Sequence, residues 1–221
     1  MLFRSAFGGI GPLFEERAGC RVDVTFGSTG QLAQQIEHGA PFDVFAAANA
    51  AYMRQLADKK RVVADSVALY ARGRIVLITN KRSEATAVRL EDLLAESIKH
   101  VSIANPSHAP YGQAAKQALE HRGLWDKLQS KLVMGENVRQ ALQYVQTANA
   151  EAGIVARSVA DLPNITSTLI DSSWHQPLDQ AIAVVADSKN AALARRFVDF
   201  VVGTEGQEVL AKHGFEKPVK R

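Results

Sequence analysis

At 221 residues, 47% hydrophobic and 22% charged, the chain has an ordinary globular composition, long enough for one large domain or two lobes of about 100 residues each. A formal net charge of +3, with no basic stripe carrying interleaved aromatics, argues against a nucleic-acid partner. The single cysteine, Cys20, excludes an intramolecular disulfide and a thiolate metal cluster, and no apolar run approaches the roughly 18 residues of a membrane-crossing helix.

The opening Met1-Leu2-Phe3-Arg4-Ser5 has no long apolar core with a small-residue cleavage site and does not read as a signal peptide. A helix is expected over 5–16, with Ala6, Ile10, Leu13 and Phe14 on its apolar face and Gly19 as C-cap candidate. A βα fold ordinarily sets a strand before its first helix, so upstream sequence is expected to be missing. Residues 22–26, Val-Asp-Val-Thr-Phe, read as a strand. Gly27-Ser28-Thr29-Gly30 reads as a tight turn into a helix over 29–38, with Leu32, Ala33 and Ile36 on one face and Ser28 or Thr29 as N-cap. The first N–H groups of a helix lack intrahelical partners and lie at the positive end of its dipole, so such a turn can hold an anion with neutral donors. The same residues also describe a capped helix with no ligand. Residues 43–48 form a short buried strand, and Asn49 caps a helix through about Ala57. This βα alternation predicts a parallel sheet flanked by helices.

Leu69-Tyr70 and residues 74–79 are an extended apolar run, followed by a helix over 90–96 and a strand over 101–104. The loop Asn105-Pro106-Ser107-His108-Ala109-Pro110-Tyr111-Gly112 opens onto a helix over 113–122 that Gly123 ends. A strand over 131–133 leads to the turn Gly135-Glu136-Asn137, where Asn137 caps a helix with Val138, Ala141, Leu142 and Val145 on one side. Strands are expected over 152–156, 165–170 and 180–186, and helices over 191–202 and 205–212, separated by Gly203-Thr204. The apolar runs 74–79 and 180–186 divide the chain into lobe one, 1–72 plus 178–221, and lobe two, 73–177, joined by two crossings. Ligands of open α/β sheets bind beyond the strand carboxyl ends.

Three strand-to-helix turns, 27–30, 105–112 and 135–138, thus present backbone N–H groups at helix starts. Their wording, Phe-Gly-Ser-Thr-Gly-Gln-Leu-Ala-Gln-Gln-Ile-Glu-His-Gly-Ala-Pro-Phe-Asp-Val-Phe-Ala-Ala-Ala over 26–48, Asn105-Pro106 with Ala109-Pro110-Tyr111-Gly112, Glu136-Asn137-Val138-Arg139-Gln140-Ala141-Leu142 and Gly153-Ile154-Val155, resembles the periplasmic molybdate-binding proteins of ABC transporters. The closing segment with Gly206 and Gly214-Phe215 matches too, so the resemblance runs from about residue 6 to 215. It implies an α/β, two-lobed type II periplasmic-binding-protein fold, each lobe a mostly parallel sheet with flanking helices, with two hinge crossings. It further implies a monomeric carrier outside the cytoplasmic membrane that closes its lobes on molybdate or tungstate and delivers it to an ABC permease, touching the membrane only through that permease. The family uses no cofactor and no direct protein–metal ligand; the metal is held through its oxygens by hydroxyls and N–H groups.

Carried over by position, the resemblance places Thr29, with Ser28 beside it, at the lobe-one contact, and Tyr111 and the Val138 N–H at contacts in lobe two. Ala156 stands where many members have tyrosine, and Tyr111 where many have a small residue, so the Tyr111 phenol is expected to reach the anion from the other turn. Members also begin with a strand and a hydroxyl-bearing loop that this chain lacks, leaving Ser5 as the nearest substitute.

Other readings are weaker. Ser28 with any of the six histidines makes no Gly-x-Ser-x-Gly elbow and has no acidic partner placed by motif, which argues against an enzyme. No His-x-x-x-His or Cys-x-x-Cys spacing supports a metal centre. Arg139, Trp125 and Trp174 read as surface or packing residues. A carrier for sulfate or phosphate, or a ligand-sensing domain of the same fold, is the alternative; the residues define donor turns but not a cavity radius.

Overall fold

The computed structural model describes residues 2–83 and 86–218. The chain divides into two compact units, Met1–Gly73 with Leu178–Arg221, and Arg74–Pro177. From the N-terminus run α1 (Leu2–Ala18), α2 (Thr29–Glu37), β1 (Val44–Ala47), α3 (Ala50–Asp58) and β2 (Ala68–Gly73). The middle of the chain supplies β3 (Ile75–Asn80), β4 (Val101–Ala104), α4 (Pro110–His121), α5 (Trp125–Leu128), β5 (Leu132–Gly135), α6 (Val138–Gln146), β6 (Ala152–Ala156), α7 (Arg157–Ala160) and β7 (Ile165–Leu169). It closes with β8 (Leu178–Val184), α8 (Ala191–Val202) and α9 (Thr204–Lys212).

In the first unit β8 is central in the order β1-β8-β2. Side-chain alternation along the strands sends successive residues to opposite faces. Ile182 and Val184 join Tyr70 in a cluster with Ile10, Phe14, Phe197, Val201 and Leu210 of α1, α8 and α9. Ala181 and Ala183 join Phe45 and Ala47 in a second cluster with Ile36, Met53 and Leu56 of α2 and α3. Phe14 meets Phe197 edge-on at 5.1 Å between centroids. Buried Gln180 is satisfied by the Tyr70 hydroxyl, which donates to its Oε1 at 2.6 Å.

Two expectations fail in this unit. Residues 22–26 belong to no strand among the described residues. Val22 packs against the α1 side of the core and its N–H donates to the Glu15 carboxylate at 2.7 Å, while Val24 is 42% exposed. Alternation and β-branching favour the extended conformation, but a strand also needs a neighbour, and none of the three strands lies alongside. The sheet is also not parallel: β8 runs antiparallel to both β1 and β2. The partner of β1 comes from the far end of the chain, and local βα alternation carries no information about it.

The second unit has the strand order β5-β4-β6-β3-β7. Here β4 is parallel to β5 and β6, while β3 is antiparallel to β6 and β7, so this sheet is mixed. The stretch expected as a helix over 90–96 is instead a 3₁₀ segment, Leu90–Leu94. Its buried residues are Leu90 and Leu93, a spacing of three that suits the tighter helix, and the Asp92 carboxylate accepts the Arg89 and Val88 N–H groups at 2.8 and 3.0 Å. These two backbone donors hold the Asp92 carboxyl below its usual range. Helix α4 begins at Pro110, ahead of the expected 113, because proline at the first helical position is preset in φ and lacks only an N–H that would have no intrahelical partner.

A Cβ at Gly112 would lie 2.1 Å from the Ala104 carbonyl oxygen, whereas one at Gly8 meets nothing within 4 Å. Gly112→Ala is therefore expected to cost about 1–3 kcal/mol of stability in urea unfolding, since the obstacle is backbone. Gly8→Ala, inside α1, is expected to gain up to about 1 kcal/mol in the same assay.

Candidate functional site

The first-unit turn is built by Ser28 and Thr29, both buried. Ser28 is the N-cap of α2 in extended backbone, and its Oγ accepts the Gln31 N–H at 3.4 Å. Thr29, the first helical residue, turns its hydroxyl to the end of β1, where Oγ1 accepts the Ala48 N–H at 3.2 Å. A hydroxyl that accepts one bond still carries a proton to donate. Ala48 is the member of this turn that sequence reading missed. Its run of alanines carries no polar signal, and its part is played by the backbone.

In the second unit the parallel pair β4 and β5 align Ala104 with Gly135, and the Asn105 N–H donates to the Gly135 carbonyl at 2.8 Å. The turns that follow therefore begin side by side at the carboxyl edge of the sheet, as expected of a ligand site in an α/β layer. The Asn105 side chain accepts the Ser107 N–H at 3.0 Å, shaping the first turn, which ends with buried Tyr111 in the opening turn of α4. In the second turn the Asn137 side chain caps α6, accepting the Arg139 and Gln140 N–H groups at 3.0 and 3.1 Å. That cap passes over the N–H of half-buried Val138, the first residue of α6. The Glu136 N–H is bound by the Gln140 side chain at 2.6 Å, and the Glu136 carboxylate stands 3.7 Å from His108 Nε2 in the neighbouring loop.

The structure thus brings Tyr111 and Val138 to one edge of one sheet and Ser28 and Thr29 to one turn of the other unit. Helices α2, α4 and α6 have no acidic residue in the first turn, so their positive ends are not neutralised from within. Ala156 closes β6 opposite Ile75 and is buried, so this position offers only a methyl group. The Ser5 side chain lies outside the described residues. Buried His175 sits in the same unit with Nδ1 at 2.7 Å from the Gln176 carbonyl, and burial pushes its imidazole pKa down. Among the described residues no group of three or more His, Cys, Asp or Glu is placed to hold a metal ion, and no helix is long and apolar enough to cross a membrane.

Donor-bearing helix starts on an α/β frame can seat an anionic solute, and the comparison with known sequences points to a solute-binding protein. Residues 2–216 match the family described as bacterial extracellular solute-binding protein, and the chain belongs to that family. It is 33% identical over 210 residues to the molybdate-binding protein ModA of Rhodobacter capsulatus, covering 93% of this chain and 81% of that protein. To ModA of Azotobacter vinelandii it is 36% identical over 209 residues, covering 91% of this chain and 81% of that protein. The solved structure of the Azotobacter vinelandii periplasmic molybdate-binding protein superposes with a TM-score of 0.91 at 26% identity, covering 99% of this chain and 96% of that one. The two-lobed periplasmic-binding-protein fold is therefore the fold of this chain.

The two turns differ in how they can be broken. Thr29→Val keeps the shape but strips the acceptor from the buried Ala48 N–H, and is expected to lose about 1–3 kcal/mol in urea unfolding, with Thr29→Ser losing less. Asn137→Ala removes a cap, for an expected loss of about 1 kcal/mol read in the same way.

Proposed function

We propose that this protein binds molybdate or tungstate outside the cytoplasmic membrane and hands it, as a monomer, to an ABC permease. Ser28 and Thr29 of the first unit and Tyr111 and the Val138 N–H of the second hold the oxyanion, which has the protein as its ligand shell and needs no cofactor. The observation that carries this reading is the donor chemistry of the turns. The Thr29 oxygen already accepts the Ala48 N–H, so what it adds to an anion is its proton. Asn137 takes the N–H groups of Arg139 and Gln140, and the Val138 N–H can only donate. Such a seat suits a fully ionised oxyanion, whose oxygens are all acceptors. A hydrogen phosphate brings a proton of its own and needs an acceptor opposite it. The named molybdate-binding relatives support the choice of ligand. Those relatives are binding proteins, and no bond-making step is assigned to any residue here.

Neutral donors also suit a carrier. Hydrogen bonds to an ionised partner are roughly twice as strong as neutral ones, so a few of them give tight binding. When the anion leaves, no buried counter-charge is stranded.

Calorimetric titration with molybdate, tungstate, sulfate and phosphate tests the proposal. Saturable binding of the first two, with sulfate and phosphate silent, is the expected result. Thr29→Ala and Tyr111→Phe are each expected to weaken molybdate binding about tenfold or more, the scale of one hydrogen bond to a charged group. Silence to molybdate and tungstate overturns the reading, as does unchanged affinity in both variants. Sulfate or phosphate binding alone would make this a carrier of another tetrahedral oxyanion.

A further inference from the structure

The second-unit turns carry one charge that an anion site should not tolerate. Glu136 lies two residues before Val138, immediately ahead of the α6 N-cap, and its side chain is largely exposed. A carboxylate at the mouth of a helix N-terminus competes with an incoming anion for the same positive end of the dipole and repels it directly. Its backbone is fixed, because the Glu136 N–H is held by the Gln140 side chain at 2.6 Å. His108 Nε2 lies 3.7 Å from Glu136 Oε2. His108 belongs to the loop that ends at Tyr111, and the two loops are already tied at their base by the bond from the Asn105 N–H to the Gly135 carbonyl. The two turns thus approach a second time, through these side chains.

Resting on the oxyanion reading above, we propose that His108 is a positioning residue that holds the Glu136 carboxylate away from the anion and offsets its charge. With its proton on Nε2 the ring turns an N–H toward the carboxylate, and that end of its dipole opposes the negative charge. Arg139, on the first turn of α6, is exposed. Neither His108 nor Glu136 contacts the anion in this scheme. Loss of His108 therefore acts through Glu136, and the two substitutions are not additive.

The test is a double-mutant cycle on molybdate affinity by calorimetry, using the full chain and the variants His108→Ala, Glu136→Gln and the pair. His108→Ala is expected to weaken binding roughly three- to tenfold, the scale of one partly screened charge at the edge of the seat. Glu136→Gln leaves affinity equal or higher, and in the double variant it restores binding to at least the wild-type level. The His108→Ala loss is also expected to shrink as salt is raised, since bare repulsion is screened. A purely structural role for His108 predicts no rescue by Glu136→Gln and no salt dependence, and either finding overturns the inference. If the unaltered chain binds neither molybdate nor tungstate, the oxyanion reading itself fails and this inference falls with it. Wild-type binding without rescue sinks the inference alone.

Discussion

The second unit depends on how closely one helix can approach one strand. Where Gly112 stands, a side chain would fall 2.1 Å from the last carbonyl of β4, so the first turn of α4 rests directly on the strand end. That contact sets where Tyr111 sits. The backbone bond from Asn105 to Gly135 then carries the placement to the next turn, which is itself tight: a Cβ at Gly135 would meet the Ala141 nitrogen at 2.7 Å. Two glycines thus let backbone pack on backbone, and main-chain contact places both helix starts, with the Asn137 side chain capping the second. For a site that works through N–H groups this matters, because a main-chain donor can be aimed only by moving the main chain.

The first unit reaches a similar end by another route. Gly27 gives room only for the Leu32 side chain, a flexible neighbour at 3.2 Å. Here the strand end and the helix start are joined by a side chain, the Thr29 hydroxyl on the Ala48 N–H. The bond does two things: it satisfies a buried donor that would otherwise be costly, and it fixes the hydroxyl's rotamer so that its proton has a defined direction. Serine could make the same bond, but the threonine methyl also stiffens χ1.

What the amino-acid sequence discloses follows from range. Ser28, Asn49 and Asn137 are caps by residue type and position, and each accepts the expected N–H groups within three residues. The turn at 105–112 announces itself through Asn, Pro and Gly, although α4 starts earlier than its apolar pattern because Pro110 adds nothing to that pattern. Residues 22–26 and the direction of the first sheet escaped the same reasoning, since strand pairing is decided by partners such as β8 more than a hundred residues away. The helix expected over 90–96 is the 3₁₀ segment Leu90–Leu94, since spacings of three and four look alike over one turn. In the candidate site, hydroxyls and caps were legible, while the part of Ala48 was not. An alanine that works through its N–H leaves no trace in side-chain chemistry.

Charge is handled differently in the frame and in the turns. The half-buried pair of Arg72 and Asp179, at 2.7 Å, joins neighbouring residues of β2 and β8 just before and after the points where the chain passes between units. Arg72 is also bridged in both directions through its backbone to Glu216. The Asp179 contact holds the Arg72 guanidinium pKa above its usual value, and a guanidinium keeps its charge in proteins. It is a permanent fastening, where a strong and unchanging interaction is an advantage. The helix starts have the opposite requirement. A charged side chain buried at an anion seat would need its ligand for its own solvation, and release would leave it exposed to a penalty of several kcal/mol. Hydroxyls and N–H groups carry a smaller penalty when empty and keep their directionality when filled. A protein that must both capture and surrender its cargo is better served by neutral donors at the seat itself.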